Sequence, residues 1–106
     1  MITIKQGDRR NCIKAILKDS TGTPVDLTDC GVKFVMASIS GGIAVNRDAH
    51  IEDAAAGEVW VVWAPGETDV AGTYLAEFTV TWPDGRKETY PNGGYIEVKI
   101  LRNLRS

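Results

Sequence analysis

The most constraining feature of this chain is residues 72–100, GTYLAEFTVTWPDGRKETYPNGGYIEVKI. Tyr74, Ala76, Phe78, Val80 and Trp82 share one parity, and Leu75, Glu77, Thr79 and Thr81 share the other. A period of two marks a β-strand buried on one face. Pro83-Asp84-Gly85 then combines a fixed φ, a side chain that bonds its own backbone and a residue free to take positive φ, so the chain reverses. Residues 87–90 return, and Pro91-Asn92-Gly93-Gly94 turns the chain again. A last strand over 95–100 sets Ile96, Val98 and Ile100 on one side. This predicts a β-meander, the back half of an antiparallel sandwich that the earlier residues complete.

Those earlier residues carry the same alternation in shorter pieces. Strands are predicted at 2–5, 12–18, 31–38, 43–45, around 49–52 and at 59–63. Turn formers separate them: Gln6-Gly7-Asp8, the run from Asp19 to Pro24, Gly41-Gly42 and Pro65-Gly66. Residues 53–57, Asp-Ala-Ala-Ala-Gly, are too short for an independent helix. The fold class is therefore all-β, an Ig-like antiparallel sandwich of about seven to nine short strands. Phe34, Trp63, Tyr74, Phe78 and Trp82 are the expected large core residues. Over 59–63 the inward set is Val59, Val61 and Trp63, which turns Trp60 and Val62 outward.

With 106 residues, one domain is expected over 1–101, followed by a short basic tail at 102–106. The chain is 43% hydrophobic and 25% charged, the make-up of an ordinary globular domain that needs no metal or disulfide to hold it. A net charge of −2 points to no nucleic-acid partner. No apolar run approaches the ~20 residues of a membrane helix, so no membrane partner is expected. The start, MITIKQGDRR, lacks the apolar core of a signal peptide, which predicts synthesis in the cytoplasm without export. Cys12 shares a parity with Lys14 and Lys18, whereas Cys30 shares one with Val32, Phe34 and Met36. Thiols on opposite faces do not meet disulfide geometry, so both are expected free.

No catalytic, cofactor-binding or metal-ligating set is expected. His50, the only histidine, stands in a polar stretch with no nucleophile in an elbow-like context. Asp19, Asp26 and Asp29, and the group Asp48, Glu52 and Asp53, lack the alternating oxygen spacing of a calcium loop and read as turn caps. The glycines mark turns rather than a phosphate cradle. Gly72-Thr73-Tyr74, opening a long strand, reads either as the tyrosine corner of Ig-like sandwiches or as an ordinary core tyrosine. Outward Trp60 and Val62 mark a candidate interface, unless a neighbouring loop covers them. Arg86 and Lys87 at the hairpin tip, and Arg102 and Arg105 in the tail, are further interface candidates.

The ordered series ITIKQGD, LKDSTGTPVDLT, VKFVM, DAAAGEVWVVW, ETDVAGTYLAEFTVTWPDGRKETYP and GYIEV, spread over nearly all of residues 1–100, resembles the N-terminal Ig-like domain of the upper-baseplate (BppU-type) proteins of tailed phages. That resemblance implies a non-enzymatic virion structural protein made in the host cytoplasm. It would be a tail or baseplate adaptor that docks other virion proteins and forms a homo-oligomer in the particle. Family members carry further domains, and this chain stops at Ser106, just past the matched region. The alternatives are a head-decoration protein and a carbohydrate-binding or adhesin-type module. A sugar site would need a second aromatic coplanar with Trp60.

Overall fold

The computed structural model describes residues 2–10 and 12–104. Among these described residues nine strands form two sheets. They are β1 (Ile2–Lys5), β2 (Ile13–Ile16), β3 (Gly31–Ser38), β4 (Ile43–Asp48), β5 (His50–Asp53), β6 (Glu58–Val61), β7 (Gly72–Thr81), β8 (Lys87–Tyr90) and β9 (Ile96–Leu101). The larger sheet runs β1-β9-β7-β3-β4, with β8 also on β7, and the smaller runs β2-β6-β5. The chain is an all-β sandwich of Ig-like type.

The expected β-meander is corrected by the pairing. β9 returns not to β8 but to β7: Gly72–Ala76 of β7 pair with β9, and Phe78–Thr81 pair with β8. Pro91 has no N–H to extend a ladder, so the chain leaves β8 there and rejoins the same edge of β7 further along. On its other side β7 pairs over its length with β3, placing Phe34 opposite Phe78. β1 then adds to β9 in parallel, with Ile2 opposite Val98.

The alternating residues fill the space between the sheets. Phe34 and Phe78 are fully buried, their ring centroids 5.2 Å apart, and Trp63 meets Phe34 edge-on at 6.2 Å. Tyr74 is buried as well, and its hydroxyl donates to Val70 O at 2.7 Å, the tie that a tyrosine corner makes. Trp82 differs from expectation. It lies just past the last ladder residue of β7 and is only partly buried at the core's margin. There its N–H is held by Arg86 O at 2.8 Å in the hairpin turn.

Four connections cross between the sheets: β1–β2, β2–β3, β4–β5 and β6–β7. β4 and β5 are nearly one bent strand that leaves the larger sheet for the smaller at Ala49, whose N–H donates to Val32 O at 2.9 Å. After β6, Arg47 of β4 holds the crossover. Its Nε and Nη2 each reach a Glu67 carboxylate oxygen at 2.9 Å, Nη2 also donates to Val62 O, and Glu67 Oε1 accepts the Ala64 N–H at 2.6 Å. The turn before β6 needs glycine: Gly57 has φ +69°, and a Cβ there would meet Leu17 O and Val25 O at 2.8 Å. Asp19 and Asp26 accept backbone N–H bonds from Thr21, Thr23 and Thr28, so they cap turns.

Candidate functional site

β6 lies in the middle of the smaller sheet, flanked by β2 and β5. With Val59 and Val61 buried, Trp60 comes to the outer face. The register sets Lys14 opposite it on one side and His50 on the other. The Lys14 ammonium stands 4.7 Å from the indole centroid, and the His50 ring lies 6.0 Å away, tilted by 59°. Glu58 Oε1 accepts the indole N–H at 3.4 Å, and His50 Nε2 pairs with Glu52 Oε2 at 3.0 Å. Trp60 is thus half-covered by cross-strand neighbours rather than by a loop. Its surroundings are charged, and among the described residues no coplanar aromatic accompanies it. Val62, beyond the end of β6, is 58% exposed.

The basic candidates do not join this site. Arg86 sits at the β7–β8 tip, where Nε meets Asp84 Oδ2 at 2.7 Å and Lys87 is exposed beside it. The Arg86 backbone N–H and then its guanidinium hold the Asp84 carboxyl below its ordinary value. Arg102 is exposed beyond β9, whose end pairs with the opposite end of β7, about 30 Å of strand away from that tip. Arg105 lies outside the described residues.

Pairing creates a surface that no single strand announces. On the outer face of the larger sheet, Ile43, Ala37 and Leu75 form one cross-strand row, and Val35 stands opposite Glu77 in the next. Tyr95, just before β9, lines the same shallow depression. Ile43 is 64% and Tyr95 63% exposed, with Ile39 nearby at 65%. The sequence signal is faint: Leu75 and Val35 are apolar residues at the polar parity of their strands. Glu77 and Glu97 border the patch, while Lys33 and Lys99 stand one row beyond it.

The remaining titratable groups are structural in setting. Burial pushes the Glu67 carboxyl up, but the hydrogen bonds from Arg47 and Ala64 outweigh it and hold the group below its ordinary value. Burial, followed by the bond that Tyr90 donates to Glu88, raises the Tyr90 phenol to about 12. Cys12 and Cys30 are free, and burial, then the charges of Asp26 and Asp29, raise the Cys30 thiol. Among the described residues no three His, Cys, Asp or Glu side chains converge as metal ligands.

No family model matches the chain. No curated protein matches it either. Among solved structures, the chain is similar to CopC from Methylosinus trichosporium OB3b, with a TM-score of 0.58, 16% identity, and coverage of 98% of this chain and 90% of that one. At that identity the likeness is one of fold. The expectation of a phage tail or baseplate adaptor, with its decoration, sugar-binding and adhesin alternatives, is corrected here: the structural likeness runs to CopC, which is not a phage structural protein. The segments behind that expectation are strands and turns of the sandwich itself, and a shared sandwich carries no function with it.

Proposed function

We propose that this chain is a non-catalytic, self-associating sandwich domain that packs against a second copy through the outer face of its larger sheet. The observation carrying this reading is the apolar patch of Val35, Ala37, Ile43, Leu75 and Tyr95, which lies on a sheet face where solvated residues are the rule. Two-sided charge at its margin favours a second copy over an unlike partner. Glu77 and Glu97 on one subunit and Lys99 on the other supply both halves of an ion pair, and Lys33, paired with Asp48 at 3.5 Å in its own chain, adds a further cation at the margin. β4, β3, β7 and β9 present a footprint of roughly 500 Å², the scale of a weak and reversible contact.

Sedimentation velocity from roughly 10 µM to 1 mM tests this reading. The expected result is a monomer–dimer equilibrium in the wild type that Ile43→Glu shifts to monomer with the fold intact. A wild type that stays monomeric throughout, or an Ile43→Glu variant that dimerises as well as wild type, overturns it.

A further inference from the structure

Among the described residues β2 pairs with β6 alone, so its other edge is open. The direction of its backbone groups follows from Leu17, just past its end. Leu17 N–H donates to Gly57 O at 2.8 Å, and Leu17 O accepts the Val25 N–H at 2.8 Å, both on the β6 side. Along an antiparallel strand these groups alternate in direction, so the N–H and C=O of Lys14, Ile16 and Lys18 point to the open edge. Side chains sort by the same period. Lys14, Ile16 and Lys18 stand exposed on the outer face, and Ala15 and Leu17 turn inward. Beneath the edge, between the two sheets, lies a cleft of about 200 Å³. Leu17 lines it on one side, and Phe78, Tyr90, Pro91 and Ile96 line it where β8 gives way to β9.

We infer that the β2 edge is a binding site for an extended strand of an unlike protein, whose alternate side chains are apolar towards the cleft and acidic towards solvent. The edge supplies free backbone donors and acceptors, which give such a strand its hold. The cleft then takes every second side chain, and its apolar walls select aliphatic ones. The outer face selects charge. Lys14 and Lys18 flank Ile16 four residues apart, about 13 Å along the strand, so carboxylates at the same spacing meet both ammonium groups. Among the described residues neither lysine is in an ion pair: Lys14 leans on Trp60, and Glu58, which lines the outer groove, is turned to the Trp60 N–H.

Charge also decides against a second β2 as the occupant, because two such edges set lysine against lysine. The site lies on the smaller sheet, away from the patch on the outer face of the larger one, and does not depend on the self-association proposed above. Its exposed ammonium groups make binding salt-sensitive.

The test uses the Ile43→Glu protein, so that the face contact plays no part, and the fluorescein-labelled peptide Thr-Glu-Val-Thr-Val-Glu-Thr as probe. Fluorescence anisotropy at low salt is expected to show saturable binding with a Kd below ~1 mM. Amide shift changes are expected to centre on Lys14, Ile16 and Lys18. Ile16→Pro deletes an edge N–H while leaving the β6 ladder its bonds, and is expected to abolish binding; Ile16→Thr keeps that N–H and is expected to retain it. K14E/K18E is expected to weaken this peptide about tenfold and to bind Thr-Lys-Val-Thr-Val-Lys-Thr in its place. Circular dichroism and thermal melts confirm the fold of each variant. No saturation by ~1 mM, equal binding of Thr-Glu-Glu-Thr-Val-Val-Thr, or shifts centred on other residues overturns the inference. So does a folded Ile16→Pro protein that binds as its parent does, and, whether or not that variant folds, a K14E/K18E protein with unchanged peptide preference.

Discussion

Arg47 and Glu67 meet across two hydrogen bonds of 2.9 Å each, joining β4 of the larger sheet to the loop that carries the chain from β6 into β7. The Glu67 side chain is only 14% exposed, so its charge is stable there because the guanidinium and the Ala64 N–H replace lost water. Because folding lowers the Glu67 pKa, the pair's contribution is present above the ordinary value of 4.5 and is lost as pH falls below it. Denaturant titrations between pH 7 and 3 should show Glu67→Gln flattening that acid-side loss. Arg47→Ala, in a half-open site, should cost about 1–2 kcal/mol at pH 7. A Glu67→Gln curve parallel to wild type contradicts the assignment.

The Tyr90 phenol carries the opposite sign. Its pKa is raised to about 12, so the neutral form's contribution is whole below the unfolded value of 10 and fades as pH rises towards 12. Ultraviolet titration should show a late-ionising tyrosine that is missing in Tyr90→Phe. Stability should decline over that interval in wild type and less steeply in Tyr90→Phe.

Core and surface aromatics should separate cleanly. Phe78→Ala removes a fully buried ring between Phe34 and Tyr90, and should cost about 3–5 kcal/mol. Trp60→Ala gives up a cation–π contact on a half-open face, about 0.5–1 kcal/mol, and should leave the fold intact. Equal losses in chemical denaturation contradict the assignment of Trp60 to the outer face.

Tyr74→Phe removes only the bond to Val70 O and should cost about 1 kcal/mol. Glycine substitutions give a sharper contrast. Gly57→Ala adds a Cβ against two backbone oxygens at positive φ and should destabilise by several kcal/mol. Gly85→Ala, also at positive φ but with open space around it, should cost only about 1 kcal/mol. Thermal melts of the two alanine variants check the order.

How much of this was readable beforehand follows from what alternation encodes. Val59, Trp60 and Val61 fall to the faces their parity predicts, because a period of two fixes the side on which a side chain lies. Parity says nothing about which strand lies alongside. The return of β9 to β7, rather than to β8, is therefore absent from the pattern. The patch of Val35, Ala37, Ile43, Leu75 and Tyr95 was hidden for the same reason. Val35 and Ala37 of β3 and Leu75 of β7 stand at the polar parity of their strands, Ile43 reaches that face through the register shift between β3 and β4, and Tyr95 precedes β9, so only the assembled register gathers them. Trp82 reads as core by parity, yet the ladder ends one residue before it, so it reaches only the margin. The segment series that suggested a phage protein encodes turns and strands common to such sandwiches, which is why it did not carry function.

The self-association claim is tested most directly by following backbone amide chemical shifts through a hundredfold dilution of isotope-labelled protein at moderate salt. Concentration-dependent shifts are predicted at Val35, Ala37, Ile43, Leu75 and Tyr95, and their disappearance is predicted in Ile43→Glu. A spectrum unchanged by dilution, or shifts that leave those five residues untouched, would contradict the claim.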